Sequence, residues 1–260
     1  MARVPVPLRV FITGASSGIG AALAAHYAKE RAILGLCARR ADPMRELLAS
    51  LGCGGAFYTL DVTDARSLQN AAVDFIGRFG TPDLVIANAG ISVGTSSGLP
   101  DDLSTFRKVM DTNVFGIAAT FQPFIAPMRE RGSGTLAGIA SVAGFRGLPG
   151  AAAYSASKSA AITCLESMRA ELHGSGVSVV TVCPGYVHTP MTEVNRYRMP
   201  FIMGADDAAQ RIARAVARKR RLAVIPWQMA LASCVLRVLP GWLYDRVFAR
   251  APRKARGLLQ

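Results

Sequence analysis

The sequence predicts an α/β fold with a single doubly wound parallel sheet, helices on both of its faces and a C-terminal helical extension. Two observations support this prediction. Short apolar runs alternate with longer helical stretches along most of the 260 residues. These runs are almost continuously apolar, which is typical of strands buried on both faces of a parallel sheet. The apolar content of 51% is enough for a large core and excludes a disordered chain.

The predicted elements follow one another without a repeat, a low-complexity run or a linker. The strands are 8–12, 33–37, 56–60, 83–87, 134–140, 177–182 and 222–225. The helices run from the glycine turn to about 31, over 42–51, from a cap at Thr63 or Asp64 to 79, over 102–131, through Tyr154 and Lys158, and over 206–220. We therefore predict one domain over residues 1–226 and a basic amphipathic extension over residues 227–260.

The cysteines indicate a reducing compartment. Cys37, Cys53, Cys164, Cys183 and Cys234 are scattered and form no C-x-x-C pair. We interpret them as buried thiols rather than as a disulfide or zinc framework, and no cluster has the spacing of metal ligands, so we expect no metal. The first residues have no long apolar region and no cleavage site, so we expect no secretory signal and a cytoplasmic location.

The net charge of +13 is concentrated near the C-terminus. Residues 211–260 hold twelve Lys or Arg and one acid, whereas residues 1–210 hold eighteen bases and sixteen acids. The main body is thus nearly neutral. The basic tail has no nucleic-acid-binding motif and no interleaved aromatic residues, so we expect no nucleic-acid partner.

A glycine-rich turn follows the first predicted strand and leads into a helix. It reads Thr13-Gly14-Ala15-Ser16-Ser17-Gly18-Ile19-Gly20. Glycines let the backbone approach a diphosphate, and the N–H groups and dipole at a helix N-terminus favour the anion. The G-x-x-x-G-x-G spacing differs from G-x-G-x-x-G, and a plain turn is the alternative interpretation. The strand before it and the helix after it favour a dinucleotide site.

Two arginines follow the second predicted strand, where a dinucleotide fold meets the adenosine ribose. An acid there would hold the ribose 2′-hydroxyl, whereas an arginine accommodates a 2′-phosphate. Arg39 and Arg40 precede the first acid, Asp42. The pair therefore favours NADP over NAD; the alternative is two solvated arginines at a strand end.

Tyr154 and Lys158 are four residues apart in a predicted helix, so their side chains lie one turn apart on one face. A nearby ammonium favours phenolate, so the phenol can exchange a proton nearer neutral pH than its usual pKa of about 10. Ser141 follows the fifth predicted strand, and a loop over residues 144–150 can return its hydroxyl to that helix. A surface Tyr packed on a Lys stem is the alternative.

Together these residues resemble the short-chain dehydrogenase/reductases over about residues 8–226. Motifs in the order and spacing of that family are Thr13 to Gly20, Asp61-Val62, Asn88-Ala89-Gly90, Asn113, Ser141, Tyr154-x-x-x-Lys158 and Pro184-Gly185. The resemblance implies a Rossmann-type fold and a catalytic set of Asn113, Ser141, Tyr154 and Lys158.

The resemblance also implies a role for each residue. Ser141 would orient the substrate carbonyl, and Tyr154 would be the general acid in reduction and the base in oxidation. Lys158 would lower the Tyr154 pKa and hold the nicotinamide ribose, and Asn113 would support a proton-relay water. Asn113 is a poor interior helix residue; it could instead face solvent or mark a kink.

The implied cofactor site extends over most of the predicted strand ends. Its residues would be Gly14, Ser16, Ser17, Gly18, Ile19, Gly20, Arg39, Arg40, Asp61, Val62, Asn88, Ala89, Gly90, Tyr154, Lys158, Pro184, Gly185, Val187 and Thr189. Many NADP-preferring members carry a base inside the glycine turn, where this chain has the neutral Ser16 and Ser17. Arg39 and Arg40 would then carry the preference.

The function predicted from these residues is an NADP-dependent oxidoreductase acting on a small carbonyl or alcohol compound. The loop over residues 190–204 is rich in Met and Phe, as a lid over an apolar or lipid-like substrate would be, or as simple packing would be. A non-catalytic cofactor-binding protein is the alternative. The family often pairs its two long helices, which implies a homodimer or homotetramer.

The extension allows two interpretations. Its apolar face could pack on the body or on a partner subunit and cover the substrate cleft. Alternatively, Trp and Leu side chains of the extension could insert into the inner face of a membrane. The bases that would then meet anionic lipid are Arg237, Arg246, Arg250, Arg253, Lys254 and Arg256. The uncharged run over residues 222–236 is too short for a spanning helix.

Overall fold

The computed structural model describes residues 6–251 and 253–256. The strands are β1 (Arg9–Thr13), β2 (Ile33–Ala38), β3 (Gly55–Thr59), β4 (Leu84–Ala87), β5 (Gly134–Ile139), β6 (Val177–Pro184) and β7 (Leu222–Ile225). They form one parallel sheet in the order β3-β2-β1-β4-β5-β6-β7. The predicted fold class is confirmed. The expectation of no secretory signal concerns residues 1–5, which lie outside the described residues, as do residues 252 and 257–260 of the predicted extension.

The helices cover both faces of this sheet. They are α1 (Gly18–Lys29), α2 (Ala41–Leu51), α3 (Ala65–Phe79), α4 (Asp102–Met110), α5 (Gly116–Arg131), α6 (Ala152–Glu171), α7 (Pro190–Glu193), α8 (Ala205–Ala217), α9 (Trp227–Val238) and α10 (Gly241–Phe248). The helix predicted over 102–131 is interrupted by a π-helical turn, Asp111–Phe115, and the loop predicted over 190–204 contains the short α7. Of the two candidate caps for α3, the carboxylate of Asp64 accepts the N–H groups of Arg66 and Ser67.

The sheet separates two apolar cores. On one face, Leu23 of α1 and Ile212 of α8 are fully buried. On the other face, Phe75 of α3, Phe124 of α5 and Leu165 of α6 are fully buried. Because both faces bury large side chains, the strands are apolar along almost their whole length, and the alternation of strand and helix was a sufficient signal for this architecture.

The strand order reverses between β1 and β4, which are neighbours in the sheet. In an open parallel sheet, the connections that leave two such strands run to opposite faces and leave a crevice at the carboxyl ends. The glycine turn after β1, Arg39 after β2, Asn88 after β4 and Ser141 after β5 all lie at this edge. The topology therefore brings the predicted site residues together.

The cysteines agree only in part with the expectation. All five are free; Cys37 and Cys183 are buried, whereas Cys53 and Cys164 are partly exposed. Cys234 is exposed on α9, so its assignment as a buried thiol is wrong. Its helix presents that side to the outside of the protein because Ser233 occupies the buried position.

The extension packs on the body through one side. The Tyr244 hydroxyl of α10 donates to the carbonyl oxygen of Gly147, and the Arg146 guanidinium lies 4.4 Å from the centre of the Tyr244 ring. The lipid-facing assignment is wrong for Lys254 and Arg256, because the body holds both side chains by hydrogen bonds. In the part of the chain that is described, we find no helix with the length and apolar character needed to cross a bilayer.

Candidate active site

A cleft of about 710 Å³ opens at the carboxyl edge of the sheet. The predicted cofactor residues that line it are Gly14, Ser16, Ser17, Gly18, Ile19, Arg39, Arg40, Asp61, Val62, Asn88, Ala89, Gly90, Pro184, Gly185, Val187 and Thr189. Three of the predicted catalytic residues, Ser141, Tyr154 and Lys158, line the same cleft. The site is therefore continuous from the glycine turn to the Tyr–Lys helix.

Two predicted site residues lie behind the wall of the cleft. At Gly20, a Cβ would collide with the carbonyl oxygen of Gly14, so this glycine permits α1 to pack against the turn. Asn113 is fully buried. Residues that line the cleft but were not predicted as site residues are Cys37, Ala38, Leu60, Ile91, Ser92, Thr112, Ile139, Ala140, Pro190, Met191, Thr192 and Val194. Half of them directly adjoin a predicted site residue in the chain, and for these that adjacency was the available signal.

The glycine turn lies against the chain that follows β4. Gly14 has a φ of +67°, and a Cβ there would lie 2.7 Å from the Ala89 Cα. The Asn88 side-chain amide donates to the carbonyl oxygens of Thr13 at 3.1 Å and Gly14 at 3.0 Å. A side chain at Gly14 would therefore separate the two segments, which form one floor of the cleft.

The N-terminus of α1 is open toward the cleft. Its cap residue, Ser17, makes no side-chain capping hydrogen bond, and the first turn contains no acid. The unpaired N–H groups and the helix dipole therefore favour an anion at this position. A Cβ on Gly18, whose φ is +54°, would lie 2.9 Å from the Thr189 Cγ2. The bare backbone and the open helix end fit the diphosphate of a dinucleotide.

The end of β2 presents basic side chains to the cleft. Arg39 and Arg40 line it and are exposed. The nearest following acid, Asp42, pairs instead with Arg45 at 2.9 Å on the first turns of α2. The charged side chains that directly follow β2 and line the cleft are therefore both basic.

Ser141 ends β5 and begins a short 3₁₀ turn, Val142–Gly144. Its Oγ accepts the Ala143 N–H at 3.2 Å and donates to the Pro184 carbonyl oxygen at 3.5 Å. Burial raises the pKa of Tyr154, and a side-chain hydrogen bond with Ser141 partly offsets this rise. The loop between β5 and α6 therefore returns the serine to the tyrosine, as the sequence predicted.

Lys158 is buried beneath Tyr154 on the same helix. Its Nζ donates to the Ile139 carbonyl oxygen at 2.8 Å and lies 5.8 Å from the centre of the Tyr154 ring. Burial lowers the pKa of Lys158 to about 8, so the side chain is mostly charged at pH 7. The expected lowering of the Tyr154 pKa is not found with these residues alone, because the effect of burial on the phenol is larger.

Asn113 connects three segments behind the catalytic face. Its Oδ1 accepts the Ile91 N–H at 2.8 Å, and its Nδ2 donates to the Ile91 carbonyl oxygen and to the Ser157 Oγ at 2.9 Å each. A Cβ on Gly90 would lie 3.1 Å from Asn113 Oδ1 and 3.5 Å from Lys158 Nζ. The π-helical turn directs Asn113 inward, so the solvent-facing interpretation is wrong.

The loop after β6 contains residues that fit each of the two predicted roles, a lid over the substrate and simple packing. Met191 lines the cleft, whereas Met203 is buried in the core and pairs with Val187 through an isolated parallel bridge. Phe201 is exposed. The simple-packing interpretation holds for Met203, and Met191 is the methionine positioned to contact a substrate.

Comparison with known proteins agrees with this geometry. The family model described as short chain dehydrogenase matches residues 9–199. A Myxococcus xanthus protein described as an uncharacterized oxidoreductase is 37% identical over 242 residues, covering 92% of this chain and 95% of the relative. A Danio rerio protein, dehydrogenase/reductase SDR family member 7B, is 33% identical over 268 residues, covering 95% and 86%. The crystal structure of levodione reductase shares the fold, with a TM-score of 0.78 at 23% identity over 86% of this chain and 98% of that one.

The chain therefore belongs to the short-chain dehydrogenase/reductase family, as its motifs predicted. It is an oxidoreductase of that class, whose members bind NAD or NADP.

The hydrogen bonds of Asn113 predict a structural requirement that can be measured. Asn113→Ala leaves the partly buried N–H and C=O groups of Ile91 without their partner, which costs up to about 1–3 kcal/mol for each group that water does not reach. We expect chemical denaturation to show a lower free energy of unfolding than for the unmodified protein. Asn70→Ala, at an exposed position on α3, is the matched control and should change it little. Equal stability of the two variants would contradict the connecting role of Asn113.

Proposed function

We propose that this protein is an NADP-dependent oxidoreductase that interconverts a carbonyl compound and an alcohol. The observation that carries the proposal is the convergence of Ser141, Tyr154 and Lys158 on the cleft that contains the dinucleotide-binding features. A nicotinamide dinucleotide, when bound, supplies or accepts the hydride. The residues of this chain bind and orient the reactants and move the proton.

Tyr154 is the proposed proton donor and acceptor. In the reduction, its hydroxyl transfers a proton to the carbonyl oxygen of the substrate. Burial raises its pKa, so the phenol is protonated at neutral pH and ready to act as an acid. In the oxidation, Tyr154 must act as a base, and a charged Lys158 one turn away favours the phenolate.

The other three residues would prepare this proton transfer. The Ser141 hydroxyl, which lies beside Tyr154, would hold the carbonyl oxygen of the substrate. Lys158 would hold the nicotinamide ribose, and its pKa of about 8 keeps it charged at pH 7. Asn113 would support the proton relay from behind, through the chain at Ile91. The presence of all four argues against a relative that binds the cofactor without turnover.

Replacing the phenol hydroxyl tests the catalytic assignment. Tyr154→Phe keeps the ring and should lower kcat by about 10²–10⁴-fold, because the general acid is lost. Equilibrium titration with NADPH should show nearly unchanged binding. A carbonyl and alcohol panel with NADPH and NADP provides the substrate for the assay.

Tyr58→Phe is the matched control, because the Tyr58 hydroxyl donates to Asp74 of α3 and Tyr58 is not among the residues that line the cleft. It should leave kcat unchanged. A Tyr154→Phe enzyme with ordinary kcat would overturn the assignment, and an unmodified protein without turnover would favour the non-catalytic alternative.

The proposed preference for NADP rests on charge at the end of β2. Arg39 and Arg40 line the cleft, and Asp42 is paired with Arg45. A guanidinium forms charge-assisted hydrogen bonds to a phosphate, which NADP carries and NAD lacks. The preference would therefore come from the arginines rather than from the neutral Ser16 and Ser17 of the glycine turn.

Dissociation constants for the two reduced cofactors test this preference. Arg39→Ala should weaken NADPH binding about 10- to 100-fold and NADH binding much less, because a charged hydrogen bond contributes roughly 1.5–3 kcal/mol. Arg78→Ala, which removes an arginine of α3 paired with Asp74, is the control and should affect neither. An equal loss for both cofactors, or tighter binding of NADH by the unmodified protein, would contradict the proposal.

A homodimer or homotetramer is the proposed assembly. Large apolar side chains are exposed on α4 and in the π-helical turn that joins it to α5: Leu103, Phe106 and Phe115. Burying such a patch against a second copy would remove apolar surface from water. We also propose a substrate with apolar or lipid-like character, supported by Met191 in the cleft.

Peripheral contact with a membrane is a second proposed property. The outer face of the extension consists of Trp227, Leu231, Val235, Val238, Trp242 and Val247, each between 53% and 80% exposed. The first four follow a helical spacing of four, four and three residues. Trp residues suit a membrane surface, and the exposed Arg246 and Arg250 of the same extension suit anionic lipid.

Sedimentation with liposomes tests the membrane proposal. The full chain should bind anionic phosphatidylserine vesicles at low salt and be released at high salt, since ions screen the attraction. Leu231→Asp with Val235→Asp should abolish binding, because two charges would enter the apolar region. Val73→Asp, at an exposed apolar position on α3, is the control and should bind normally. If the full chain did not bind these vesicles at low salt, the membrane proposal would be wrong, and contact with a protein would be the remaining explanation for the exposed apolar face.

A further inference from the structure

The last described residues are attached to the body of the protein at several points. The Ala255 carbonyl oxygen accepts the Gly94 N–H at 2.9 Å. Arg256 donates from Nε and Nη2 to the two carboxylate oxygens of Asp102 at 3.0 Å each. A Cβ on Gly150 would lie 2.7 Å from the Arg253 Cβ, so the chain passes close to the loop before α6. The segment over residues 253–256 is thus held against the body by several contacts.

Lys254 directs its ammonium group toward the cleft from this segment. Its Nζ donates to the Ser92 Oγ at 2.8 Å and to the Met191 carbonyl oxygen at 3.5 Å. Ser92 and Met191 both line the cleft that contains Ser141 and Tyr154. The Lys254 ammonium therefore lies against two residues of the cleft wall.

The positive charge of Lys254 has no acidic partner. Within the described ranges Lys254 forms no ion pair, whereas Arg256 two residues later is paired with Asp102. Lys254 is partly buried, and this burial lowers its pKa to about 8, which still leaves it mostly charged at pH 7. A desolvated charge without a counter-charge is costly, so the site is incomplete electrostatically.

The hydrogen-bond donors of Lys254 and Ser92 are also not all used. An ammonium has three N–H donors, and two of those of Lys254 are used. The Ser92 hydroxyl accepts from Lys254, so its own hydrogen remains available to donate. Two adjacent donors, one of them charged, match the two oxygens of a carboxylate or of a phosphate.

We propose that the cleft recognises an anionic group on its carbonyl or alcohol substrate, a carboxylate or a phosphate, and that Lys254 with Ser92 receives it. This inference rests on the proposed function, because it names the substrate class of the same cleft. It is also compatible with an apolar chain on the substrate, since an oxo acid can carry both.

The position of Ser92 limits the length of that substrate. Ser92 follows Gly90 by two residues, and Gly90 lies beside Lys158. Two residues span at most about 7 Å of chain. An anionic group bound at Ser92 would therefore lie near the part of the cleft that Lys158 borders, and short oxo acids are suitable probes.

Matched acid and ester substrates test the proposal. The probes are pyruvate, acetoacetate and levulinate, each compared with its methyl ester, with NADPH or NADH. The unmodified protein should prefer at least one acid over its ester in kcat/KM. Lys254→Gln, which keeps hydrogen bonding and removes the charge, should lower that acid-to-ester ratio about 10- to 100-fold. Lys254→Arg, which keeps the charge, should retain most of the ratio.

Arg256→Gln separates recognition from attachment of the chain end. It removes the bond to Asp102 but leaves the charge in the cleft, so it should leave the acid-to-ester ratio unchanged. An unmodified protein that does not distinguish any acid from its ester, or a Lys254→Gln variant with an unchanged ratio, would overturn the proposal. In the second case Lys254 would serve only to attach the segment.

A measurement of equilibrium binding tests the anion site even if the proposed function fails. If the protein turns over none of the probes, the proposed function fails for them, and calorimetry with levulinate in the presence of NADPH decides the anion site. Weaker binding to Lys254→Gln than to Arg256→Gln supports the site. Equal binding to the two variants, or no binding to the unmodified protein, overturns it.

Discussion

The glycine turn after β1 lies in direct contact with the chain after β4, and the cleft depends on the absence of a side chain between them. Asn88 maintains the contact by donating to the carbonyl oxygens of Thr13 and Gly14. The strand order reverses at these two strands, so their connections diverge and leave a crevice above the contact. Because Gly20 carries no side chain either, α1 can start close to this crevice and point its N–H groups into it.

Burial controls the electrostatics of the catalytic face. It raises the pKa of Tyr154 and lowers that of Lys158, because a low-dielectric environment disfavours the charged form of each. Both pKa shifts favour the uncharged forms of Tyr154 and Lys158. The Ile139 carbonyl oxygen, which accepts a hydrogen bond from the Lys158 ammonium, stabilises the charged form and opposes the shift of Lys158. Asn113 fixes the surrounding chain through Ile91 and Ser157. The Tyr154 phenol is therefore neutral at pH 7, as the proposed proton donor has to be.

The extension has two chemically different sides. Its inner side supplies Tyr244 to the loop before α6 and places the Lys254 ammonium against Ser92, which lines the cleft. Its outer side exposes Trp227 and Trp242. The basic side chains near the C-terminus therefore fall into two groups. Some form hydrogen bonds with the body, and others remain exposed.

The sequence by itself determined the sheet, the glycine turn and the catalytic trio, because each depends on a local pattern. Apolar runs encode buried strands, and four-residue spacing places Tyr154 and Lys158 together on any helix. Tertiary structure alone decided that Asn113 faces inward, that Cys234 is exposed and that burial controls the Tyr154 pKa. It also brought Lys254 to Ser92 across 162 residues of chain. Burial and contacts between distant residues follow from how the helices pack on the sheet, which no local pattern records.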